Sequence, residues 1–201
     1  MTEQTSGETI FERVALVGGS GVGKSTLLKA LREQLPDQVA WCPQQPGLVP
    51  MLSTFHNIYM GALDNHSLLY NLANLIKPLP AARSAVEPIA KLLGLEQQLF
   101  SSTDKLSGGQ QQRTSIGRAL IQKRAIFLGD EPVANVDEYQ GDALLQLICQ
   151  RHQTVVLALH DIAQALSTCT RIIGLKDRAI VLDAPSNQLQ ASDLADLYGA
   201  S

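Results

Sequence analysis

Residues 13–26 read RVALVGGSGVGKST, a short apolar run that passes directly into a glycine-rich loop and then into a helix-favouring segment. The apolar run is partly β-branched, which is typical of a buried strand. The loop fits the pattern G-x-x-x-x-G-K-[ST], in which backbone N–H groups surround phosphate oxygens and the next helix adds its positive end. A strand, this loop and a helix in this order predict a phosphate-binding loop.

The phosphate loop contains two side chains with expected chemical roles. Lys24 is expected to contact the β- and γ-phosphates of a nucleotide, and Ser25 is expected to bind Mg²⁺. The alternative is a glycine-rich turn with a surface lysine, but the position between a strand and a helix favours phosphate binding. The residues expected to contact the nucleotide are Gly18, Gly19, Ser20, Gly21, Val22, Gly23, Lys24, Ser25 and Thr26.

Two acidic residues, Asp130 and Glu131, follow the apolar run at residues 125–129. A carboxylate at the carboxyl end of a buried strand lies where α/β sheets bind ligands. We expect Asp130 to hold Mg²⁺, directly or through water, and Glu131 to polarise the attacking water. The alternative is a polar strand end that caps the next helix.

One of the four histidines, His160, follows another apolar run at residues 154–159. His160 could contact the γ-phosphate and help position the water, or it could be a solvated helix cap. His56, His66 and His152 lack such a context and are expected at the surface.

The alternation of apolar runs with helical segments predicts a parallel sheet with helices on both faces. Between residues 46 and 105 strand signals are absent, and helical apolar spacing occurs at residues 68–76 and 82–93, so we expect an inserted helical lobe. The expected organisation is one domain over residues 1–201, with a core formed by residues 1–45 and 106–201. An edge strand is expected at residues 179–182 and a closing helix at residues 192–198.

Composition restricts the class of protein further. The chain has 201 residues, of which 45% are hydrophobic, and a net charge of -3, so nothing suggests bulk binding to nucleic acid or to acidic lipid. Three cysteines, Cys42, Cys149 and Cys169, lack metal-type spacing and are expected to be reduced thiols in a cytosolic protein. No apolar run reaches the roughly 18 residues of a membrane span, so membrane association is expected to require a partner.

A further segment, LSGGQQQR at residues 106–113, lies between the phosphate loop and the acidic pair. With this segment the chain resembles the nucleotide-binding subunit of ABC transporters, a P-loop NTPase, over about residues 12–199. The family's glutamine loop matches Gln44, its signature matches residues 106–110, its D-loop matches residues 134–137, and its switch histidine matches His160.

The resemblance implies an ATPase that binds ATP and Mg²⁺ and acts as a head-to-tail dimer, which we expect to contain two copies of this chain. Each ATP would lie between the phosphate loop of one subunit and the signature of the other. The expected trans-acting signature residues are Leu106, Ser107, Gly108, Gly109 and Gln110; the D-loop residue is Asp137; the catalytic residues are Glu131, His160 and Gln44; and the metal-binding residues are Ser25, Gln44 and Asp130.

The resemblance also implies partners and location. Gln44 would link the ATP site to the helical lobe, which would contact integral membrane permease subunits and hold the chain on the cytoplasmic face of the inner membrane. No nucleic acid partner is expected. Within the family, the likeness is greatest to the ATPase subunit of phosphonate importers. A soluble ABC-type ATPase of phosphonate metabolism and a weakly hydrolysing regulatory subunit are the alternatives; the intact Lys24, Gln44, Glu131 and His160 argue against the second.

The chain departs from the family in one region. Only residues 1–17 precede the phosphate loop, and residues 36–38 lead directly into the run at residues 39–42, where family members usually have further strands. We therefore expect the antiparallel β-subdomain to be largely missing, together with the aromatic residue that stacks on adenine. Phe11 is too close to the loop to replace it. Stacking contributes about 1–3 kcal/mol, so ATP would bind roughly 5- to 150-fold more weakly, with poor selectivity over GTP.

Overall fold

The computed structural model describes residues 12–198 and places six strands of this range in one sheet. The strands coincide with the predicted apolar runs to within about three residues at each end. They are β1 (Glu12–Val17), β2 (Val39–Cys42), β3 (Ile126–Asp130), β4 (Thr154–Ala158), β5 (Arg171–Lys176) and β6 (Ala179–Pro185).

The order of the strands determines which loops meet. The sheet runs β2-β3-β4-β1-β5-β6; neighbours from β2 to β5 are parallel, and β6 is antiparallel to β5. Leu16 of β1 and Asp130 of β3 both pair with Ala158 of β4, so the carboxyl ends of these three strands lie at one level. The loops that follow them therefore meet at one edge of the sheet.

Helices cover both faces of the sheet, as the sequence predicted. Eight α-helices lie in the described residues: α1 (Lys24–Gln34), α2 (Thr54–Tyr59), α3 (Leu68–Ile76), α4 (Pro80–Leu92), α5 (Gly108–Leu120), α6 (Glu138–Arg151), α7 (Ile162–Thr168) and α8 (Ala191–Leu194). Val14 and Leu16 of β1 pack with α1 in one apolar cluster, whereas Ala15 and Val17 belong to a second cluster with α5, α6 and α7. This alternation is the two-residue period of a strand buried on both faces.

Residues 43–107, all of them described, contain helices and turns and no strand, apart from one isolated bridge between Ser53 and Ser102. This segment packs closely against α5. A Cβ atom on Gly61 would lie 2.0 Å from the backbone oxygen of Arg118, so only glycine permits this approach. The division of the chain at residues 46 and 105 remains a prediction.

The connection between α1 and β2 is as short as the sequence indicated. Residues 35–38 join the two elements directly. Among the described strands, β5 and β6 form the antiparallel pair of the sheet. The described sheet thus lacks a second antiparallel layer. Phe11, the residue considered for adenine stacking, lies outside the described residues.

Three predictions need correction. Helix α2, followed by a 3-10 helix at Met60–Asn65, was not predicted. The closing helix expected at residues 192–198 is divided into α8 and a 3-10 helix at Ala195–Leu197. His152 is buried, contrary to expectation: its Nδ1 lies 2.9 Å from the backbone oxygen of Ile148, and burial lowers its pKa.

Cys42, Cys149 and Cys169 are buried free thiols.

Candidate active site

Four strands end beside one another, and each is followed by a residue that the sequence singled out. The phosphate loop follows β1, Glu131 follows β3, and His160 lies two residues after β4. Gln44 is exposed and lies two residues after β2. The last residue of β2 pairs with Gly129 of β3. The strand order therefore collects these residues at the edge where parallel sheets bind ligands.

The phosphate loop has the backbone conformation that its glycines predict. Gly18, Gly21 and Gly23 have φ angles of 142°, 78° and 109°, in a region that residues with a Cβ atom rarely adopt. Gly23 directly precedes α1, so the loop leads into the positive end of an eleven-residue helix. Ser20 is exposed beside Gly19; Val22 and Ser25 are half-buried, and Thr26 is exposed. The arrangement is a loop of backbone N–H groups suited to phosphate oxygens.

Lys24 folds back over this loop. Its Nζ donates to the backbone oxygens of Gly18 and Gly19 at 2.6 and 3.0 Å, and only 6% of the residue is exposed. Burial lowers the pKa of Lys24, and the nearby carboxylates of Glu131 and Asp130 act in the opposite direction. Lys24 therefore lies over the loop, and its charge interacts with both acidic residues.

Asp130 is buried at the end of β3, with 4% of the residue exposed. Its Oδ1 is buried and has no hydrogen-bond partner among the described residues. An unpaired buried carboxylate oxygen fits a divalent cation that prefers oxygen ligands. In the described range no cluster of three or more His, Cys, Asp or Glu side chains could hold a metal by itself. These residues therefore fit Mg²⁺ bound jointly by the protein and by phosphate oxygens, as is usual for this ion.

Glu131 and His160 form a close pair. The Glu131 Oε1 lies 2.6 Å from His160 Nε2, and their side chains are 15% and 44% exposed. The backbone of Glu131 has a φ angle of 50°, which is uncommon for a residue with a Cβ atom, and its N–H donates to Ala158 of β4 at 3.1 Å. The carboxylate is thus held beside the phosphate loop, where it can accept a proton from a bound water.

The signature residues lie at the start of α5. Ser107 caps this helix: its Oγ accepts from the Gln110 N–H at 3.3 Å, and its own N–H donates to Gln110 Oε1 at 2.9 Å. Leu106 is buried, whereas Ser107 and Gly108 are exposed, and Gly109 lies close to the Asn135 carbonyl oxygen. Between described residues, no hydrogen bond joins this segment to the phosphate loop.

Asp137 is exposed and caps α6, because its Oδ1 accepts from the Gln140 N–H at 3.0 Å. The segment that leads to it borders a cleft of about 370 Å³ together with Glu131 and His160. Val136 and Leu159 contribute apolar surface to the same cleft. The expected D-loop residue therefore lies between Val136 and Glu138, which line this cleft together with the candidate catalytic pair.

One residue in contact with the site was not selected from the sequence. Gln112 of α5 is fully buried, and its amide donates to the backbone that follows β3. The sequence spacing could have indicated Gln112. It lies four residues after Gly108 and three after Gly109, so the helical period places it on the same face of α5 as these two signature residues.

Comparison with known proteins places the chain among ATP-binding cassettes. The sequence profile of a family described as ABC transporter matches residues 9–134. The phosphonates import ATP-binding protein PhnC of Caulobacter vibrioides is 33% identical, over 94% of this chain and 83% of its own. PhnC 1 of Pseudomonas savastanoi pv. phaseolicola is 34% identical, over 93% of this chain and 81% of its own.

Solved structures show the same fold. The dimeric ATP-binding cassette MJ0796 bound to ADP and Pi has 26% sequence identity and a TM-score of 0.75, covering 88% of this chain and 86% of its own. A nucleotide-free cassette of an ABC transporter has a TM-score of 0.76 at 18% identity, over 94% of this chain and 88% of its own. In the part of the chain that the structure describes, no helix is both long and apolar enough to span a membrane.

Proposed function

Because the chain belongs to the ABC transporter ATP-binding family, we propose that it is the ATP-hydrolysing subunit of a membrane importer and that the residues at the sheet edge carry out the hydrolysis. The observation that carries this proposal is the Glu131–His160 pair, with 2.6 Å between Oε1 and Nε2, beside the phosphate loop and Lys24. A carboxylate held in this way beside a phosphate site is suited to polarise an attacking water.

The proposed mechanism assigns one task to each side chain. The loop N–H groups bind the phosphates, and the Lys24 ammonium moves from the Gly18 and Gly19 carbonyls to the β- and γ-phosphate oxygens. Asp130, Ser25 and Gln44 would hold Mg²⁺, which would neutralise charge on the phosphates when bound. Glu131 accepts the proton of the attacking water.

His160 has two tasks in the proposal. In the absence of nucleotide it holds the Glu131 carboxylate, as the short contact between them supports. With ATP bound, its exposed ring can also contact the γ-phosphate, so that the histidine aligns base, water and phosphate. This reading is favoured over the helix-cap alternative, because it is the Asp161 side chain that caps α7, by accepting from the Gln164 N–H at 3.0 Å.

The proposal includes a head-to-tail dimer of two copies of the chain. Ser107 and Gly108 are exposed at the N-terminus of α5, which is a suitable place for an anion but has no hydrogen bond to the phosphate loop of its own subunit. A second subunit's ATP would supply that anion. The solved relative MJ0796, at 26% identity, is dimeric.

Membrane subunits are the second class of proposed partner. Helix α3 carries five exposed apolar side chains on its outer surface, with Leu69 at 79% and Ile76 at 88% exposure; the others are Leu68, Leu72 and Leu75. A contiguous exposed apolar surface of this kind marks an interaction site. We assign it to contact with the permease, which would keep the chain on the cytoplasmic face of the membrane.

For the transported solute we propose a phosphonate-like compound, because PhnC proteins are the relatives at 33% and 34% identity.

Glu131→Gln tests the hydrolytic mechanism. Loss of the general base is expected to lower kcat by about 10²–10⁴-fold while ATP binding and ATP-driven dimerisation persist. Glu33→Gln, an exposed position on α1, is the matched control and is expected to keep wild-type turnover. Turnover measured by phosphate release, with dimerisation measured by light scattering, tests both parts. An active Glu131→Gln enzyme would contradict the mechanism.

Leu69→Glu tests the proposed permease contact. The variant is expected to keep ATPase activity in solution but to lose co-purification with permease subunits from native membranes in mild detergent. Val181→Glu on β6, at 55% exposure, is the matched control. Recovery of no integral membrane protein with the wild-type chain would favour a soluble ATPase.

Uptake of a labelled alkylphosphonate tests the solute. The uptake should disappear in a strain without the chain and return with the wild type but not with Glu131→Gln. Uptake that is indifferent to the chain would contradict the phosphonate assignment alone.

A further inference from the structure

Gln112 holds the backbone of the candidate catalytic residue. The Gln112 side chain is fully buried on α5, and its Nε2 donates to the Pro132 carbonyl oxygen at 2.9 Å. A longer contact of 3.5 Å reaches the Glu131 carbonyl oxygen. The amide therefore contacts the two peptide units that follow Glu131, and the shorter bond is to the second of them.

Only the donor half of this amide has a partner. Gln112 Oε1 is buried and has no hydrogen-bond partner among the described residues. A buried acceptor without a partner is unfavourable, and an apolar side chain of similar length would avoid it. Glutamine at this position is therefore poorly explained by packing alone, and its N–H donors are the feature that an apolar residue could not supply.

The conformation of Glu131 indicates what the donors do. Its φ angle of 50° lies in the left-handed region, which a residue with a Cβ atom keeps only when its surroundings hold it there. The backbone N–H of Glu131 is held by Ala158 at 3.1 Å, and its carboxylate is held by His160. Gln112 supplies the remaining restraint, on the carbonyl side of the same residue.

The same helix contacts this segment a second time. A Cβ atom on Gly109 would lie 3.0 Å from the Asn135 carbonyl oxygen, so the first turn of α5 and the segment after β3 are in close contact. Gln112 lies one turn further along α5. The signature end of α5 therefore supports residues 131–135 at two points.

We propose that Gln112 is a positioning residue for ATP hydrolysis: its amide fixes the Glu131–Pro132 backbone so that the Glu131 carboxylate points at His160 and the attacking water. The proposal rests on the role of Glu131 proposed above. It also provides a route from the signature residues, through α5 and the Gln112 hydrogen bond, to the carboxylate of Glu131 in the same subunit.

Gln112→Met removes the donors and keeps the length of the side chain. Because small misplacement of a catalytic group is enough to slow the chemical step, kcat is expected to fall by about tenfold or more, with KM for ATP within about twofold of wild type. The melting temperature is expected to change by only a few degrees, since removal of the buried acceptor without a partner offsets loss of the bond to Pro132 O. Gln122→Met is the matched control: the Gln122 amide donates to Arg118 O, away from Glu131, and its kcat should stay at the wild-type value.

Single-turnover hydrolysis of labelled ATP in the Glu131→Gln background separates positioning from a structural role. If Gln112 acts through Glu131, the Gln112→Met and Glu131→Gln double variant is expected to turn over no more slowly than Glu131→Gln alone, and to dimerise equally well with ATP. An additive loss, a wild-type kcat for Gln112→Met, or a fall in kcat with a raised KM and a melting temperature lowered by more than a few degrees would each overturn the inference.

Two outcomes remain distinct. If Glu131→Gln itself keeps full turnover, the proposed function fails, and the inference fails with it. If Glu131→Gln is inactive while Gln112→Met is fully active, only the inference fails. Gln112→Leu serves as a second apolar variant; failure of both to fold would assign the amide a structural role and reject the proposal.

Discussion

The buried side chain of Asn57 joins the segment after Gln44 to α2 and to α5. Its Oδ1 accepts from the Val49 N–H at 2.8 Å and from Arg118 Nη2 at 2.7 Å. Its Nδ2 lies 3.1 and 3.2 Å from the carbonyl oxygens of Val49 and Ser53. Both ends of the amide are thus used, and no part of the residue is exposed. We predict that Asn57→Leu, a change of similar volume, is strongly destabilising.

The magnitude follows from the bonds that are lost. The bond from the Arg118 guanidinium is charge-assisted and contributes about 1.5–3 kcal/mol, and each neutral bond contributes about 0.5–1.5 kcal/mol. One charged bond and three neutral bonds together amount to about 3–7.5 kcal/mol, and the buried partners have no replacement. Against a typical total stability of about 5–15 kcal/mol, about a fifth or more of the free energy of unfolding is at stake.

Urea unfolding of the purified chain measures this loss. Asn65→Leu is the matched control, because Asn65 is exposed and its side chain forms no hydrogen bond with the described residues. Its expected loss is below about 1 kcal/mol. The loss from Asn57→Leu should also be non-additive with that from Arg118→Met, since both variants remove the same bond. A loss below about 1 kcal/mol for Asn57→Leu, or simple additivity, would refute the reasoning.

Three further predictions follow from single contacts. Burial lowers the pKa of His152 below its unfolded value of about 6.5, so the unfolded chain binds the proton first. The free energy of unfolding should therefore fall as the pH drops below about 6.5, and His152→Asn should flatten this urea-measured dependence while His66→Asn should not. Asp130→Asn removes an anionic oxygen that has no protein partner, so the Mg²⁺ concentration for half-maximal turnover should rise about tenfold or more, measured by Mg²⁺ titration at fixed ATP. Gly61→Ala places a Cβ atom 2.0 Å from Arg118 O and should lower the free energy of unfolding by about 1–3 kcal/mol; an unchanged urea midpoint would contradict the close packing.

The strands could be predicted from the sequence because each is a short apolar run that is buried on both faces. The bounds of β2 and α3 were predicted to the residue. Helix α2 could not be predicted from periodicity, because five of its six residues are buried and it presents no polar face. The prolines and the glycine at residues 46–50 also interrupt the pattern just before it. His152 was misplaced for a related reason: its ring packs 5.0 Å from that of Phe127, a contact between distant segments.

Some residues of the candidate site could likewise be predicted from the sequence, and the contacts of others could not. Residues that follow within two positions of a strand end, such as Glu131 and His160, could be found because strand order brings strand ends together. The contacts of Gln112 and Arg118 could not be predicted, because their side chains bond to backbone carbonyl oxygens whose positions depend on the packing of α5. Sequence patterns record residue types along an element, whereas these contacts depend on which segment lies opposite.

The charged groups of the site differ in what they must give up when nucleotide binds. The Lys24 ammonium is bonded to two neutral carbonyl oxygens, and an anionic phosphate oxygen is the stronger acceptor for a desolvated cation, so exchange favours the nucleotide. Asp130 Oδ1 has no hydrogen bond to lose within residues 12–198. Glu131 must stay where His160 and the backbone contacts hold it, because the attacking water has to meet a carboxylate that is already in place. The proposed mechanism therefore separates a charge that moves, Lys24, from one that stays in place, Glu131. In that mechanism, this division is the physical reason for a strained backbone at Glu131 and for a buried glutamine behind it.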